Sequence, residues 1–372
     1  MTGASIEFHE ADSAELAEWD DRVVRPAGGH VLQSRAWAAY RERAGWQPRY
    51  LVGSDGSAVL ALTKPWLLVG GSSAYVSRGP VPTAEADVLA ARLDGATSWL
   101  TAHGVDVVAA DPQVRADTGY ARAVERVGFR PIEEIQPSRH RLSVPLPSGI
   151  TEDDALANVT KQTRQRIKKA EGEGLEVVRY DTAAEDGVGD GFVAAARAVD
   201  AALGEFYDLL IATAERRRFE VLSRRRFLDW TTTAHAAGQL LYLEARESGA
   251  AEPLAGLVIY RHGDRLSTFL SGDRDDARDR HPGAFHLLRW RSIQLAIREG
   301  RAEMDLDGAD LAGARQEPKE GDPTWGLYQH KKSFGAEWVE QAAAHERVAR
   351  PTRYAAGRVI AALGRRVGIG RP

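Results

Sequence analysis

The segment HGVDVVAAD, residues 103–111, has a counterpart in EGRAEMDLD, residues 299–307. In each segment a glycine ends a predicted amphipathic helix, an apolar run of strand length follows, and an aspartate closes the run. A helix–strand unit that occurs twice in one chain predicts a duplicated fold in which helices and strands are mixed.

The sequence around these two segments predicts the rest of each half. Asp55-Gly56 between two alternating apolar runs is a hairpin signal, and Ser34 is typical of a helix N-cap. In the first half we predict helices over 34–44, 83–103 and 117–127, strands over 49–53, 58–62 and 106–110, and a strand leading into a connector over 136–150. In the second half we predict helices over 161–171, 189–202, 205–217, 224–236, 284–299 and 325–333, and strands over 239–245, 254–261, 265–270 and 302–306.

The composition is that of a folded protein: 372 residues, 43% apolar and 27% charged, with no cysteine. This length favours two domains, and the absence of cysteine excludes a disulfide framework, a thiolate metal site and a cysteine nucleophile. The longest runs without charge, 230–243 and 65–77, are shorter than the roughly 20 apolar residues of a membrane span. Because the acidic N-terminus is unlike a signal peptide, we expect a cytoplasmic protein.

Basic residues are mostly arginine, the side chain suited to forked recognition of phosphate and carboxylate: 42 of the 49 are Arg. Some of these basic residues are concentrated in three clusters, Lys161–Lys169, Arg216–Arg226 and Arg347–Arg371. One such cluster is typical of a solvated helix face. Three clusters in a chain of net charge −4 indicate a polyanionic ligand.

Several common catalytic motifs are absent from the sequence. There is no Gly-x-x-x-x-Gly-Lys-Ser/Thr loop, no His-Glu-x-x-His and no Gly-x-Ser-x-Gly. We therefore predict neither a P-loop enzyme, nor a zinc enzyme, nor a serine hydrolase of the common type. Asp305, Asp307 and Asp310 lack the spacing of a calcium loop, so no metal site is predicted.

An ordered set of short motifs carries a family resemblance. The motifs are Gln33-Ser34-x-x-Trp37, Ser77-Arg78-Gly79-Pro80, Gln136-Pro137-Ser138, Thr163-Arg164-x-x-Ile167-Lys168-Lys169-Ala170-Glu171-x-x-Gly174, Phe206-Tyr207-x-Leu209-Leu210, Thr213-Ala214-Glu215-Arg216, Leu287-Leu288-x-Trp290, Asp305-Leu306-Asp307-Gly308 and Gly326-Leu327-Tyr328-x-x-Lys331-Lys332-x-Phe334-Gly335. In this order they resemble the Fem-type peptidoglycan-bridge aminoacyltransferases, a tRNA-dependent branch of the GNAT-fold acyltransferases. The order of the set is more specific than any one motif.

The resemblance implies a mixed α/β fold of two tandem GNAT-like domains, without a long coiled-coil arm. The first would comprise residues 1–148 joined by the C-terminal segment 336–372, and the second residues 149–335. It also implies a reaction in which an amino acid passes from aminoacyl-tRNA to a peptidoglycan precursor. The acceptor is the amine of the diamino acid at the third position of the stem peptide, in a UDP-linked or lipid-linked precursor.

The chemistry of such a transfer makes few demands on the enzyme. The tRNA ester is already activated, so neither an enzyme nucleophile nor a cofactor is expected, and aminoacyl-tRNA is a co-substrate. The reaction needs a placed neutral amine, a donor for the developing oxyanion and a proton route to the ribose hydroxyl. In the resemblance Lys331 occupies the position of the family lysine assigned to the oxyanion. A phosphate contact on the helix surface is the alternative role.

The resemblance also implies binding residues, which the sequence matches unevenly. Those expected to bind substrate are Trp37, Arg41, Asp111, Arg216, Arg224, Arg226, Tyr328 and His330, and those expected to bind tRNA are Lys161, Arg164, Lys168, Lys169 and Lys332. His330 replaces a family aromatic residue and would stack on the terminal adenine or move protons. Relatives carry an Arg and a Tyr, four residues apart, among the residues that bind the precursor. The matching positions here are Leu222 and Arg226, so the identity of the acceptor stays open. Asp111 either orients the amine or caps a turn.

Three other functions stay open from sequence alone. The first keeps the chemistry but transfers to another peptide or small molecule. The second is an acetyl-CoA-dependent GNAT enzyme, which we disfavour because we predict no pyrophosphate-binding loop between a strand and a helix. The third is a non-catalytic RNA- or membrane-binding protein. The Arg-rich C-terminus fits tRNA, a peripheral contact with the inner face of a membrane, or ordinary packing of a terminal helix.

Overall fold

A computed structural model describes residues 5–66, 68, 70–183, 191–195, 197–217 and 219–366. The helices are α1 (Ser13–Ala17), α2 (Trp19–Val23), α3 (Arg35–Arg43), α4 (Ala86–Ala102), α5 (Tyr120–Arg126), α6 (Glu152–Asn158), α7 (Lys161–Gly172), α8 (Val199–Arg217), α9 (Arg224–Ala236), α10 (Asp275–Arg280), α11 (Ala284–Arg298), α12 (Trp325–Lys332) and α13 (Pro351–Arg366). Within the described ranges, no helix is both long enough and apolar enough to cross a bilayer.

The strands complete the element order. They are β1 (Phe8–Glu10), β2 (Gln47–Gly53), β3 (Ala58–Pro65), β4 (Ser72–Val76), β5 (Val105–Ala110), β6 (Arg130–Ile132), β7 (Arg141–Pro145), β8 (Leu175–Tyr180), β9 (Val193–Ala194), β10 (Leu240–Glu247), β11 (Ala255–His262), β12 (Arg265–Asp273), β13 (Glu303–Asp305), β14 (Glu337–Val339) and β15 (Ala344–Val348).

The first compact unit comprises Met1–Arg139, Leu311–Arg315 and Glu340–Pro372. Its sheet has the order β1-β2-β3-β4-β5-β15-β6, in which β4 and β5 are parallel and the other neighbours antiparallel. Helix α4 connects the two parallel strands. Leu89 and Leu93 on α4 belong to the same apolar core as Val59 and Val108 on the sheet.

The second compact unit comprises His140–Asp310 and Gln316–Val339. Its sheet has the order β14-β7-β13-β12-β11-β10-β8-β9, with a parallel pair β12–β13 connected through α10 and α11. Leu288 and Ile293 of α11 share a core with Leu243, Leu257 and Met304 of the sheet. Both units therefore contain antiparallel strands, a crossover helix and a parallel strand whose carboxyl end carries aspartate, Asp111 just after β5 and Asp305 as the last residue of β13, which confirms the predicted duplication.

The unit boundaries differ from the predicted domain limits of 148 and 336. Strand β7 begins at Arg141 and pairs with β13 and β14, so the chain enters the second unit earlier than predicted. Strand β14 extends the second sheet, whereas the chain from Glu340 onward belongs to the first unit. The short segment Leu311–Arg315 also belongs to the first unit, where Arg315 Nη2 lies 2.6 Å from Glu133.

Two regions of the second half differ from prediction. The helices predicted over 189–202 and 205–217 are replaced by β9 and one continuous helix, α8, while residues 184–190 and 196 lie outside the described residues. Gly204 does not break α8, because its carbonyl accepts a 2.8 Å hydrogen bond from Arg224 Nη2 and helix α9 packs there. Strand β8 had no predicted counterpart and pairs with β10.

Candidate active site

The paired strands β12 and β13 of the second sheet separate at the carboxyl end of β13. Its parallel pairing with β12 covers three residues, from Arg265↔Glu303 to Ser267↔Asp305, although β12 continues to Asp273. Immediately beyond, Asp307 has a φ of 67°, in the left-handed region that few residues other than glycine adopt. Its N–H donates to Asp305 Oδ1 at 2.7 Å. This turn places two carboxylates and the Gly308 carbonyl at the end of one strand.

Helix α12 brings Lys331 to this turn. The helix is fixed at its C-terminal end, where Ser333 accepts hydrogen bonds of 2.9 Å from the Thr160 N–H and from the Thr163 hydroxyl at the start of α7. Lys331 is only 3% exposed, and its Nζ donates to the Gly308 carbonyl oxygen at 2.6 Å. The predicted catalytic lysine is therefore a buried ammonium group, which argues against a helix-surface phosphate contact.

The charges around Lys331 tune its protonation. Burial lowers the pKa of the Lys331 ammonium to about 8, Asp307 and Asp305 oppose the decrease, and Arg289 and Arg141 add to it. About nine tenths of the molecules therefore carry this charge at pH 7. Arg141 forms ion pairs with both carboxylates, through Nη1 to Asp307 and at 3.7 Å through Nε to Asp305. The site thus holds a cationic donor that can also release a proton near neutral pH.

His330 lies among aromatic rings rather than on the helix surface. Its ring centroid is 5.6 Å from Phe285, 4.7 Å from His286 and 5.3 Å from Phe334. Burial, followed by the charge of Arg289, lowers the pKa of His330 well below its usual value, so the ring is neutral at pH 7. A neutral ring can stack or relay a proton, as the sequence predicted, but it does not add charge to the site.

His286 is the second histidine of this cluster and lies on α11. Gly283, just before α11, allows α7 to approach closely. A Cβ at this position would lie only 2.4 Å from the Arg166 carbonyl oxygen, so a larger residue would push α7 away. This approach brings Arg166 Nη1 to 3.2 Å from His286 Nε2, which accepts the hydrogen bond. Burial and then the Arg166 charge lower the pKa of His286 to about 4, so it too is neutral.

Arg289 is a site residue that sequence reasoning missed. It occupies the variable position of Leu287-Leu288-x-Trp290, on the buried face of α11, and is 1% exposed. Its charge acts on both Lys331 and His330. The signal in the sequence was a cation inside an otherwise apolar helix stripe, because arginine is rarely buried unless it is paired or functional.

Tyr328 packs beside the site but its hydroxyl is engaged. The ring stacks on Trp325 at 5.4 Å and meets Trp338 edge-on at 6.3 Å. The hydroxyl donates to Glu317, and burial together with that carboxylate raises the pKa of Tyr328 to about 12. The geometry gives this predicted substrate residue an aromatic packing role.

The arginines predicted to bind acceptor phosphates in the second unit are largely paired within it. Arg216 lies 2.7 Å from Asp273 and also pairs with Asp275. Arg224 pairs with Asp208 and lies over the Tyr207 ring at 5.5 Å. Arg226 is half-buried on α9, whereas Arg218 lies outside the described residues. Arg224 thus ties α9 to α8, and Arg216 ties α8 to β12 and α10. These ion pairs compete with any phosphate for the two arginines.

The basic cluster of α7 divides into two kinds of residue. Lys161, Lys168 and Lys169 are exposed, as expected of a surface that binds RNA. Arg164 instead points to the end of α6, where its Nη1 donates to the Val159 carbonyl at 2.7 Å. It also reaches the Leu156 and Ala157 carbonyls in the last turn of α6, where a helix offers fewer backbone donors to its carbonyls. Lys332, on α12, is half-buried.

In the first unit, Arg41 and Trp37 form a stacked cation site on α3. The Arg41 guanidinium lies 5.3 Å from the Trp37 ring centroid and 4.8 Å from that of Trp46. Lys64 lies 5.3 Å from the same Trp46 ring. Ser34 caps the helix by accepting from the Trp37 N–H at 3.0 Å, as predicted. Two cations held on indole rings form a site that can attract a phosphate.

Asp111, at the end of β5, is buried in a hydrogen-bond network of the first unit. Its Oδ2 accepts from the Tyr75 hydroxyl and its Oδ1 from the Arg78 N–H, each at 2.7 Å. Arg78 Nη1 lies 3.7 Å away, and Gln136 donates to the Tyr75 hydroxyl at 3.0 Å. These hydrogen bonds tie Asp111 to Tyr75 on β4 and to Arg78 just beyond that strand. Both predicted roles of Asp111, orienting the amine and capping the following turn, stay predictions.

The Arg-rich C-terminal segment begins as helix α13, which packs on its own unit. Arg353 Nη2 lies 2.6 Å from Asp106, whose other oxygen accepts from Trp66 Nε1 at 3.0 Å. A Cβ at Gly357 would lie 2.5 Å from the Trp66 ring, so glycine permits this approach. The start of the segment thus follows the packed-helix alternative, while residues 367–372, including Arg371, lie outside the described residues.

Comparisons with known proteins agree with this architecture. Residues 157–315 match the family model of the acetyltransferase (GNAT) domain. The crystal structure of FemX superposes with a TM-score of 0.75 at 18% identity, covering 94% of this chain and 98% of FemX. The chain has the fold of FemX. The structure of L-PGS from Bacillus licheniformis is similar to a lesser degree. It superposes with a TM-score of 0.52 at 13% identity, covering 95% of this chain and 98% of that one.

The FemX fold accounts for the two tandem GNAT-like units and the order of their elements. Sequence similarity is low, and none of the curated proteins matches the chain. Within the part of the chain that the structure describes, no group of three or more His, Asp and Glu side chains is arranged to hold a metal ion.

Proposed function

We propose that the protein is an aminoacyl-tRNA-dependent transferase that attaches an amino acid to the third-position amine of a peptidoglycan precursor stem peptide. The FemX fold and the GNAT domain support acyl transfer as the general chemistry. The ordered Fem-type motifs support the donor and the acceptor. No cofactor is required in this proposal, because the ester of aminoacyl-tRNA is already activated.

The observation that carries the proposal is the environment of Lys331. Its ammonium is buried, charged at pH 7 and held by the Gly308 carbonyl at the open end of β13. A charged donor in a site that excludes water stabilises a developing oxyanion far better than one in solvent. Because its pKa is about 8, the same ammonium can give up its proton near neutral pH without a large driving force.

In the proposed reaction the neutral acceptor amine attacks the ester carbonyl carbon and forms a C–N bond. The carbonyl oxygen becomes an oxyanion, to which Lys331 Nζ donates. Collapse breaks the bond to the ribose oxygen, which takes a proton from Lys331 Nζ. The amine nitrogen loses one proton, which restores the ammonium, so protons balance and no redox step occurs. The neutral His330 ring lies next to Lys331 in sequence and can relay this proton.

A matrix of donors and acceptors tests the proposal. A charged tRNA pool and acetyl-CoA would each be combined with a UDP-linked and a lipid-linked stem-pentapeptide precursor, and the products read by mass spectrometry. The proposal predicts an acceptor heavier by one amino-acid residue in a charged-tRNA arm. Absence of product in both charged-tRNA arms, with folded protein and verified charging, would contradict it.

An acetyl-CoA-dependent transferase is the second candidate, favoured by the match of residues 157–315 to the acetyltransferase domain. The match to the pyrophosphate-loop pattern at Arg246-x-x-Gly249-x-Ala251 connects strands β10 and β11 instead of leading into the N-terminus of a helix, where a pyrophosphate would bind, and this argues against the candidate. This candidate predicts an acetylated product in the acetyl-CoA arms and a higher melting temperature in the presence of acetyl-CoA. The tRNA-dependent transferase predicts neither result.

A further inference from the structure

Arg289 carries a buried charge that the proposed reaction does not use. The residue is 1% exposed, and its guanidinium carbon lies 5.3 Å from the Phe285 ring centroid one turn earlier on α11. Its Nε and Nη1 find no hydrogen-bond partner among the described residues. A buried, unpaired donor of this kind lowers stability, so its presence calls for a functional reason.

Other buried arginines of this chain are paired. Arg78 lies 3.7 Å from Asp111 and donates to backbone carbonyls. Arg261, which is largely buried, pairs with Asp181 at 2.6 Å and with Glu299 at 2.7 Å. A buried guanidinium in this chain can therefore have acidic partners, as Arg78 and Arg261 do. The donors of Arg289 are left open on a helix whose other arginines are paired, such as Arg291 with Glu171.

The nearest acids do not neutralise Arg289. Asp305 and Asp307 act on it only through space, and both already form ion pairs with Arg141. Other cations act in the same neighbourhood, because Arg289 lowers the pKa of Lys331, and Arg166 and Arg289 both lower the pKa of His286. His286 and His330 are neutral and add no negative charge. The electrostatic environment around the guanidinium is therefore suited to an anion that arrives with the substrate.

We propose that Arg289 binds a phosphate ester of the nucleotide that carries the acyl group, next to the carbonyl that Lys331 engages. The proposal rests on the acyl-transfer function proposed above, and it names the substrate group that this part of the site recognises. The acyl carbon is bound at Lys331, so the group covalently attached to it must lie near. In the tRNA-dependent function that group is the 3′-terminal adenosine, whose 5′-phosphate is attached to the same ribose as the acyl ester. In coenzyme A the pantetheine arm separates the thioester from the phosphates, so they would not lie beside the carbonyl.

Binding of small probes tests the assignment without catalysis. Cytidylyl-(3′→5′)-adenosine has one phosphodiester and adenosine has none, whereas coenzyme A and pantetheine differ by the nucleotide phosphates. We expect wild-type protein to bind cytidylyl-(3′→5′)-adenosine about tenfold more tightly than adenosine. The coenzyme A pair is the control for unspecific phosphate binding, because its phosphates lie beyond the pantetheine arm and away from the acyl group.

The variant Arg289→Met keeps the length of the side chain and removes its charge. We expect the advantage of the phosphate-bearing probe to disappear in this variant, and the KM for the acyl donor to rise more than kcat falls. The melting temperature should be unchanged or higher, because an unpaired buried charge is removed. Arg298→Met is the matched control on the same helix, since Arg298 pairs with Glu152 at 2.7 Å, and it should leave probe binding unchanged.

Three results would overturn the proposal: wild type does not prefer cytidylyl-(3′→5′)-adenosine to adenosine, Arg289→Met keeps that preference, or Arg289→Met melts well below wild type while its folded fraction binds normally. Failure of the proposed function is recognised separately. It appears as absence of transfer from charged tRNA by wild-type protein, whatever the probes show.

Discussion

Lys331 Nζ donates a 2.6 Å hydrogen bond to the carbonyl oxygen of Gly308, and this contact joins helix α12 to the end of β13. The carbonyl is presented by a turn in which Asp307 adopts a left-handed φ of 67°. A lysine buried in this manner is stabilised by one carbonyl and two nearby carboxylates. Because a single hydrogen bond holds the ammonium, it can turn toward a substrate oxygen.

Replacing Lys331 by Met should remove the proposed donor to the oxyanion. We expect kcat to fall by about 100-fold or more, with a smaller change in the KM of either substrate. The measurement is steady-state transfer from charged tRNA at pH 7. Lys319→Met, at an exposed lysine in the loop before α12, is the control and should keep kcat close to that of wild type. Equal loss in both variants would argue for an unspecific charge effect.

The same substitution should stabilise the fold at neutral pH. The pKa of Lys331 falls from 10.5 in the unfolded chain to about 8 in the folded protein. The unfolded state therefore binds the proton more tightly, which lowers stability by up to about 3 kcal/mol below pH 8. This penalty decreases as pH rises from 8 to 10.5. Urea unfolding should find Lys331→Met more stable than wild type at pH 7, with a smaller difference at pH 10. A variant less stable at pH 7 would contradict the assigned charge state.

Asp307 should set the alkaline limit of activity. Its negative charge raises the pKa of Lys331, so Asp307→Asn lowers that pKa below about 8. If the protonated ammonium is required, kcat/KM should begin to fall at a lower pH in the variant. Asparagine tolerates the left-handed conformation, so the turn is retained. Titration of the acceptor amine is common to both proteins and cancels in the comparison. Glu303→Gln, on the same strand, should leave the alkaline limb in place, and an unchanged limb in Asp307→Asn would exclude Lys331 as the titrating group.

The basic residues of α7 should separate into RNA contacts and a structural cap. Neutralising Lys161, Lys168 or Lys169 should weaken tRNA binding and reduce the slope of log affinity against log salt by about 0.7–0.9 for each tRNA phosphate that is no longer neutralised. Arg164→Ala should instead lower the free energy of unfolding by about 1 kcal/mol, because the α6 carbonyls lose their donor. Filter binding across a salt series and urea unfolding measure the two effects. A stable Arg164→Ala protein with a reduced salt slope would restore the predicted tRNA role.

Asp111 should affect folding more than the transfer step. Asp111→Asn disrupts a buried pair with Arg78, so we expect a loss of about 3 kcal/mol of stability. Transfer per folded molecule should be unchanged. Tyr75→Phe removes only one hydrogen bond of the same network and should lower stability by about 1 kcal/mol. If Asp111→Asn is as stable as wild type yet inactive, the carboxylate orients the acceptor amine instead.

Local signals in the sequence predicted much of the fold. The N-cap at Ser34, the hairpin at Asp55-Gly56 and the two helix–strand segments ending in Asp111 and Asp307 all reflect interactions within a few residues. The exception in α8 is instructive. Gly204 is a break signal in the sequence, but tertiary contact with Arg224 keeps the helix continuous.

The candidate site was only partly predictable because its members are distant in sequence. The resemblance indicated Lys331 and His330, whereas the carbonyl partner of Lys331 and its coupling to Arg289 depend on how α11, α12 and β13 pack. Arg164 and Arg224 illustrate the opposite limit. Their positions in basic clusters of the sequence indicated ligand binding. In the structure, however, Arg164 bonds to the end of α6 and Arg224 pairs with Asp208 on α8, both within the same unit.

The most direct test of the central claim is RNase-sensitive transfer by wild type and Lys331→Met, measured side by side by mass spectrometry. Both proteins would be given a charged tRNA pool and stem-pentapeptide precursors with a third-position diamino acid. We predict a precursor heavier by one amino-acid residue with wild type, which disappears after RNase treatment and is reduced about 100-fold in the variant. Equal product from the two proteins, or product that survives RNase, would contradict the account.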